Sequence, residues 1–176
     1  MLQHIKNILV VDEEVELRRS IIRHLRRNGF VMDSAFGDED ARRKITTSRK
    51  IELPYDLVIR IFLGHHPAGI EFIDWVHHCH PDISIVVISG LGNMDWIASI
   101  LNPETDAYSQ NPLTPEELMA VIGGLEDKLR TSQGTNALAT LSPEKCKNPG
   151  NRLLQKKARP EAPRISHLES DNTTSF

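Results

Sequence analysis

Two stretches of this 176-residue chain are apolar at nearly every consecutive position: Leu57–Phe62, broken by Arg60, and Ile83–Ile88, broken by Ser84. A strand with one wet face alternates apolar and polar residues. A strand apolar on both faces needs helices above and below it. A third β-branched run, Ile8–Val11, opens the chain. Each run leads into a stretch with apolar residues at helical spacing. Leu17, Ile21, Ile22 and Leu25 mark a helix over Val15–Asn28, with Gly29 placed to stop it. Ile70, Phe72, Ile73 and Val76 mark one over Ile70–His78. Phe30–Ala35 reads as a second strand, Gly37–Ile45 as a short polar helix and Thr46–Leu53 as a connection. Met94–Leu101 reads as a fourth helix and Ala107-Tyr108 as a weak fifth strand. Thr114 opens a last helix with a capping box, TPEE, followed by Leu118, Val121, Ile122, Leu125 and Leu129 in one stripe. Strand–helix alternation repeated five times predicts an α/β fold: a five-stranded parallel sheet, doubly wound, with right-handed crossovers.

After Arg130 the pattern stops. Residues 131–176 hold Pro143, Pro149, Pro160 and Pro163 among polar and charged residues, with a basic excess. Such a composition buries too little surface to offset its ordering entropy, so it reads as a disordered, mildly basic tail behind a domain over residues 1–130. The tail is too short and too weakly periodic for a helix-turn-helix output domain. A net charge of −3 argues against a bulk electrostatic grip on nucleic acid, so no direct DNA binding is expected. The five arginines of Arg18–Arg27 read as a solvated helix face. The two cysteines, Cys79 and Cys146, form no disulfide framework and fit a reducing compartment. No apolar run approaches the roughly 20 residues of a membrane span, and acidic residues arrive too early for a signal peptide. A soluble cytoplasmic protein is expected.

The carboxyl edge of such a sheet is where open α/β folds place their chemistry. Strand one delivers Asp12 and Glu13 there, strand three the Ile61 region, strand four Ser89, and strand five leads to Asn111-Pro112. Adjacent carboxylates suit a hard divalent cation such as Mg²⁺. ILVVDEE, the Gly29-Phe30 turn, YDLVI, the loop to Gly69, VVISG and AYSQNPLTPEEL fall in one order and spacing. Together they resemble the receiver domain of bacterial two-component response regulators, over about residues 5–130 and with its flavodoxin-like fold.

The resemblance implies roles position by position. Asp12 and Glu13 match the acid pair that holds Mg²⁺. Ser89 matches the hydroxyl that senses the phosphoryl group, and Tyr108 the switch aromatic. The phosphoacceptor aspartate falls on Ile61, and the lysine that pairs with the phosphoryl charge falls on Asn111. Glu104-Thr105 stand where Gly-Ala is usual, and His65 stands where the loop proline is usual, with Pro67 two residues on. An aspartyl phosphate needs a carboxylate nucleophile, which Ile61 lacks. Asn111 brings no cationic charge to a phosphoryl transfer. Asp56 is no substitute, because about 3.3 Å per residue puts it roughly 16 Å from position 61, at the other edge. The acid pair, one ligand short, implies no required cofactor and at most weak Mg²⁺ binding.

Other residues are weighed beside these. Arg60, a charge inside an apolar run, is expected to pair locally or to snorkel towards solvent, ahead of pairing with an acid or mimicking an activating charge. His65-His66 and the contiguous His77, His78, Cys79 and His80 lie at opposite ends of one helix, which is poor spacing for a shared zinc ion. Trp96 and Tyr108 fall on the face formed by the fourth helix, strand five and the last helix, which receivers use for dimers and partners.

The expectation is therefore a non-enzymatic pseudo-receiver in bacterial two-component or phosphorelay signalling. It would bind other signalling proteins (a histidine kinase, a response regulator or an output protein), with a homodimer through the Trp96/Tyr108 face and no membrane contact. Two alternatives stand beside it. One is a metal-dependent enzyme or metal sensor using Asp12 and Glu13 with His65 and His66. The other is a phosphorylatable response regulator with an unconventional acceptor.

Overall fold

A computed structural model of the chain describes residues 4–62, 67–90 and 100–132. The elements run β1 (Asn7–Val11), α1 (Val15–Arg27), β2 (Val31–Ala35), α2 (Gly37–Lys50), β3 (Leu57–Phe62), α3 (Pro67–Cys79), β4 (Ser84–Ser89), β5 (Ala107–Gln110) and α4 (Pro115–Ser132). The five strands form one parallel sheet in the order β2-β1-β3-β4-β5. Most of the predicted Met94–Leu101 helix, with Trp96, lies outside the described residues, as do His65-His66 and the tail from residue 133.

All six residues of β3 and all six of β4 are buried, as runs apolar on both faces require. Successive side chains go to opposite faces, so the core is two layers. On one face Val58, Phe62, Ile85 and Val87 pack with Ala41 and Ile45 of α2 and with Phe72, Ile73, Trp75 and Val76 of α3. On the other, Leu57, Ile59, Ile61, Val86 and Ile88 pack with Leu25 of α1 and with Leu118, Ile122 and Leu125 of α4.

α2 is longer than the Gly37–Ile45 expected from the pattern, and the predicted connection after it is shorter. Thr46, Thr47 and Ser48 continue the helix, their hydroxyls donating to the carbonyls of Arg42, Arg43 and Ile45 at 2.8, 2.9 and 2.9 Å. Hydroxyl residues that bond back to their own helix need not break it. α3 likewise begins earlier than expected, at Pro67, a residue suited to the first turn. The capping box of α4 forms as read. The Glu117 N–H donates to Thr114 Oγ1 at 3.2 Å, and the Thr114 N–H to Glu117 Oε2 at 2.7 Å. These backbone and side-chain bonds from Thr114 hold the Glu117 carboxyl below the usual range.

Two carboxylates fix the entry into β1 at the amino edge. Glu126 of α4, fully buried, accepts the N–H groups of His4 and Ile5 at 2.6 and 3.0 Å. Asp56 Oδ2 accepts those of Lys6 and Asn7 at 2.9 and 2.8 Å. Asp56 therefore stands at the edge opposite the candidate site, as its spacing requires. The outer strand β2 has its free edge occupied by its own surroundings. Arg26 Nη2 donates to the Met32 carbonyl at 3.3 Å, Lys44 Nζ to the Ser34 carbonyl at 2.6 Å, and the Ser34 N–H to Asp33 Oδ1 at 2.7 Å. No helix among the described residues is long and apolar enough to cross a membrane.

Candidate functional site

β1 ends in Val11, and the chain then turns sharply into α1. Asp12 closes this turn: its Oδ1 accepts the Glu14 N–H at 3.0 Å, and its own N–H donates to the Ala35 carbonyl at 3.2 Å. Asp12 is buried, and its Oδ2 has no hydrogen-bond partner among the described residues. Burial pushes the Asp12 carboxyl above its usual range. The Glu14 N–H opposes that shift, and the neighbouring Glu13 charge adds to it.

Arg60 is where the structure departs most from the sequence reading. It does not snorkel, and besides a bond to its neighbour Ile61 it pairs with acids of other segments. It is 4% exposed, on the α2/α3 face of β3, beside Val11 of β1 in register. Its guanidinium grips Glu13 as a fork, Nη2 to Oε1 at 2.9 Å and Nη1 to Oε2 at 3.1 Å. Nη1 also donates to the Ile61 carbonyl at 2.7 Å. Nε lies 2.7 Å from Asp38 Oδ1 of α2, an ion pair without hydrogen-bond alignment. The guanidinium rests over the Phe62 ring, 4.6 Å from its centroid. Burial raises the Asp38 carboxyl, and the Arg60 charge works against that rise.

Asp38 was not singled out by the sequence reading. The available signal was an acid in the first turn of a helix that begins at the carboxyl edge, just after Gly37. Gly37 has φ +78° and leaves room for Glu13, whose Oε1 would lie 3.2 Å from any Cβ placed there. Both the backbone angle and the close carboxylate ask for glycine at this position.

The two substituted positions lie elsewhere. Ile61 is buried on the α1/α4 face, opposite Ile88 in register. Together with Asn111, Leu17, Ile21 and Leu118 it lines a small cavity of about 110 Å³. The Asn111 N–H donates to the Ser89 carbonyl at 2.8 Å. Position 61 thus faces a largely apolar space, while Arg60 and the acids gather across the sheet. Ser89 is buried at the end of β4, its hydroxyl 3.3 Å from the Gly90 carbonyl. Tyr108 is partly buried against the core, paired with Val87 in register.

Mg²⁺ takes oxygen ligands in near-octahedral geometry. Both Glu13 oxygens are engaged by Arg60, Ile61 offers no side-chain oxygen, and one Asp12 oxygen is taken up by the Glu14 N–H. These residues, as arranged, do not fit the ion that the resemblance implies. Two of the described histidines are engaged elsewhere. His77 Nε2 pairs with buried Asp106 at 2.6 Å, while His80 packs edge-on against Trp75 at 4.7 Å. Burial, helped by the Arg49 charge, pushes His80 down to about 4. Among the described residues no three His, Cys, Asp or Glu side chains are grouped to hold a metal.

No family model matches the chain. It is 22% identical over 136 residues to the nitrogen assimilation regulatory protein NtrX of Azorhizobium caulinodans, covering 77% of this chain and 29% of that protein. It is 24% identical over 146 residues to the transcriptional regulatory protein PrrA of Mycobacterium tuberculosis, covering 82% of this chain and 60% of that protein. The chain thus matches less than two thirds of the length of each of these relatives. In structure it resembles a response regulator receiver domain protein from Clostridium thermocellum, with a TM-score of 0.59 at 19% identity over 72% of this chain and 98% of that one.

Proposed function

We propose that this chain, which contains a response regulator receiver domain, acts in two-component signalling as a pseudo-receiver: a binding module whose state does not depend on phosphorylation. One observation carries the reading. The position that should bear the acceptor carboxylate holds Ile61, buried in an apolar layer, and Asn111 beside it supplies no cation. Among the described residues the nearby acids are committed elsewhere: Glu13 is bound by Arg60, Asp12 lies buried in the β1–α1 turn, and Asp56 serves the opposite edge. What the scaffold keeps is surface. Tyr108 and the β5–α4 side are the partner-facing candidates, with a kinase, another receiver or an output protein as the class of partner.

Incubation of the whole chain with a small acyl phosphate and Mg²⁺ is expected to leave it unmodified by intact-mass measurement. A stoichiometric, acid-labile phosphate would overturn the reading. Mapping such a phosphate to Asp12 or Glu13 would identify an unconventional acceptor instead.

A further inference from the structure

We propose that Arg60 is the resident cation of the carboxyl edge: its guanidinium stands in for a divalent metal and ties the β1–α1 turn to α2 without any ion from solution. The inference rests on reading the domain as a receiver that takes no phosphate, and it assigns a role to the one buried cation of β3. Four features of the site converge on it. Arg60 reaches two acids from different elements, Glu13 through two hydrogen bonds of 2.9 and 3.1 Å and Asp38 through an Nε contact of 2.7 Å. Nη1 also donates to the Ile61 carbonyl at 2.7 Å and, more weakly, to the Val11 carbonyl at 3.5 Å, so backbone oxygens as well as acids hold the head group. The Phe62 ring beneath it covers the guanidinium face. Gly37 clears the space into which the Glu13 carboxylate comes.

Arginine suits this task better than lysine. The planar fork matches a carboxylate through two parallel bonds, and a guanidinium is less strongly hydrated than an ammonium, so it is more readily held at 4% exposure. A metal ion would bind acids from the same loops but would leave when its concentration fell. A side chain on β3 is always present. The linkage also has a direction: β3 supplies the cation, and the β1–α1 turn and the first turn of α2 close on it. An ion from solution would have to strip Glu13 from Arg60, leaving a guanidinium that is itself 4% exposed with one acid fewer.

Thermal unfolding and calorimetric titration with MgCl₂ and MnCl₂ test this on the full chain. The wild type is expected to melt at the same temperature in chelator and in millimolar Mg²⁺. Arg60→Gln should melt lower in chelator, recover on addition of Mg²⁺ or Mn²⁺, and bind Mn²⁺ at least about tenfold more tightly than the wild type. Arg60→Lys keeps the charge without the fork and should fall between the two. Folding of Arg60→Gln only when metal is present also supports the proposal. It is overturned if Mg²⁺ stabilises the wild type as much as the variant. It is equally overturned if folded variants show no response to metal, or if both variants stay unfolded at every metal concentration. Stabilisation of an unphosphorylated wild type by Mg²⁺ would remove only this inference. Acid-labile phosphate on the wild type would remove the reading beneath it.

Discussion

Arg60 and Ile61 are neighbours in sequence whose side chains lie on opposite faces of the sheet, and the chemistry of the carboxyl edge divides between them. The period of two along β3 sends Arg60 to the α2/α3 side with Glu13 and Asp38, and Ile61 to the α1/α4 side with Asn111. Sequence reading recovers that these two residues are out of place in such a strand. It does not recover the arginine's partners, because Glu13 comes from the β1–α1 turn and Asp38 from the first turn of α2, and they meet Arg60 only in the folded sheet. Local pairing or snorkelling is what a charge near a strand end suggests, and acids of other segments take over here because Glu13, and Asp38 of α2, reach the guanidinium. Another close contact at this scale involves Gly69. A Cβ added there would lie 1.8 Å from Phe62 Cε1, inside the ring that supports Arg60. Gly-to-Ala within a helix ordinarily gains up to about 1 kcal/mol, whereas overpacking a filled site costs about 1–3 kcal/mol. The steric term wins: Gly69→Ala is expected to destabilise by about 1–2 kcal/mol in urea denaturation. A more stable variant would show that Phe62 can turn aside.

Among the elements, the strands were the most legible. Runs apolar on both faces have few other uses, and β1, β3 and β4 fall within a residue of their expected limits. Helix ends were less so, since Thr46, Thr47 and Ser48 look like a connection until their hydroxyls are seen bonding back to the helix. The last helix shows what capping and propensity each contribute. Its start is strongly set by the Thr114–Glu117 box. Its middle carries Gly123 and Gly124, and a Cβ at either would meet nothing within 4 Å. Neither glycine is there for close packing among the described residues. Gly124→Ala, on the exposed side, is therefore expected to stabilise by about 0.5–1 kcal/mol and to raise the melting temperature by roughly 2–4 °C. An unchanged or lower melting temperature would show that the propensity gain is offset at this position.

At the scale of the molecule, the first described residues and the last helix are closed on each other. Glu126 takes two consecutive amides ahead of β1, and Asp56 takes the next two, so the first strand is anchored at its start from two distant parts of the chain. A buried donor left without an acceptor costs about 1–3 kcal/mol. Glu126→Ala is expected to lose about 2–4 kcal/mol in urea denaturation and to expose the His4 and Ile5 amides to hydrogen exchange, with Glu126→Gln losing less. Equal losses for the two variants would make packing, not acceptance, the function of the carboxylate. The other boundary of the sheet has a different meaning. Backbone groups are the same in every protein, so a bare strand edge will pair with almost any extended chain it meets. Here Arg26, Lys44 and Asp33 already answer the outward carbonyls of Met32 and Ser34 and the Ser34 N–H. The molecule is thereby poorly suited to indiscriminate templating along β2, and it can accumulate in a crowded solution without its sheet growing from that side. Recognition at this edge has to pass through side chains, where one sequence can be told from another.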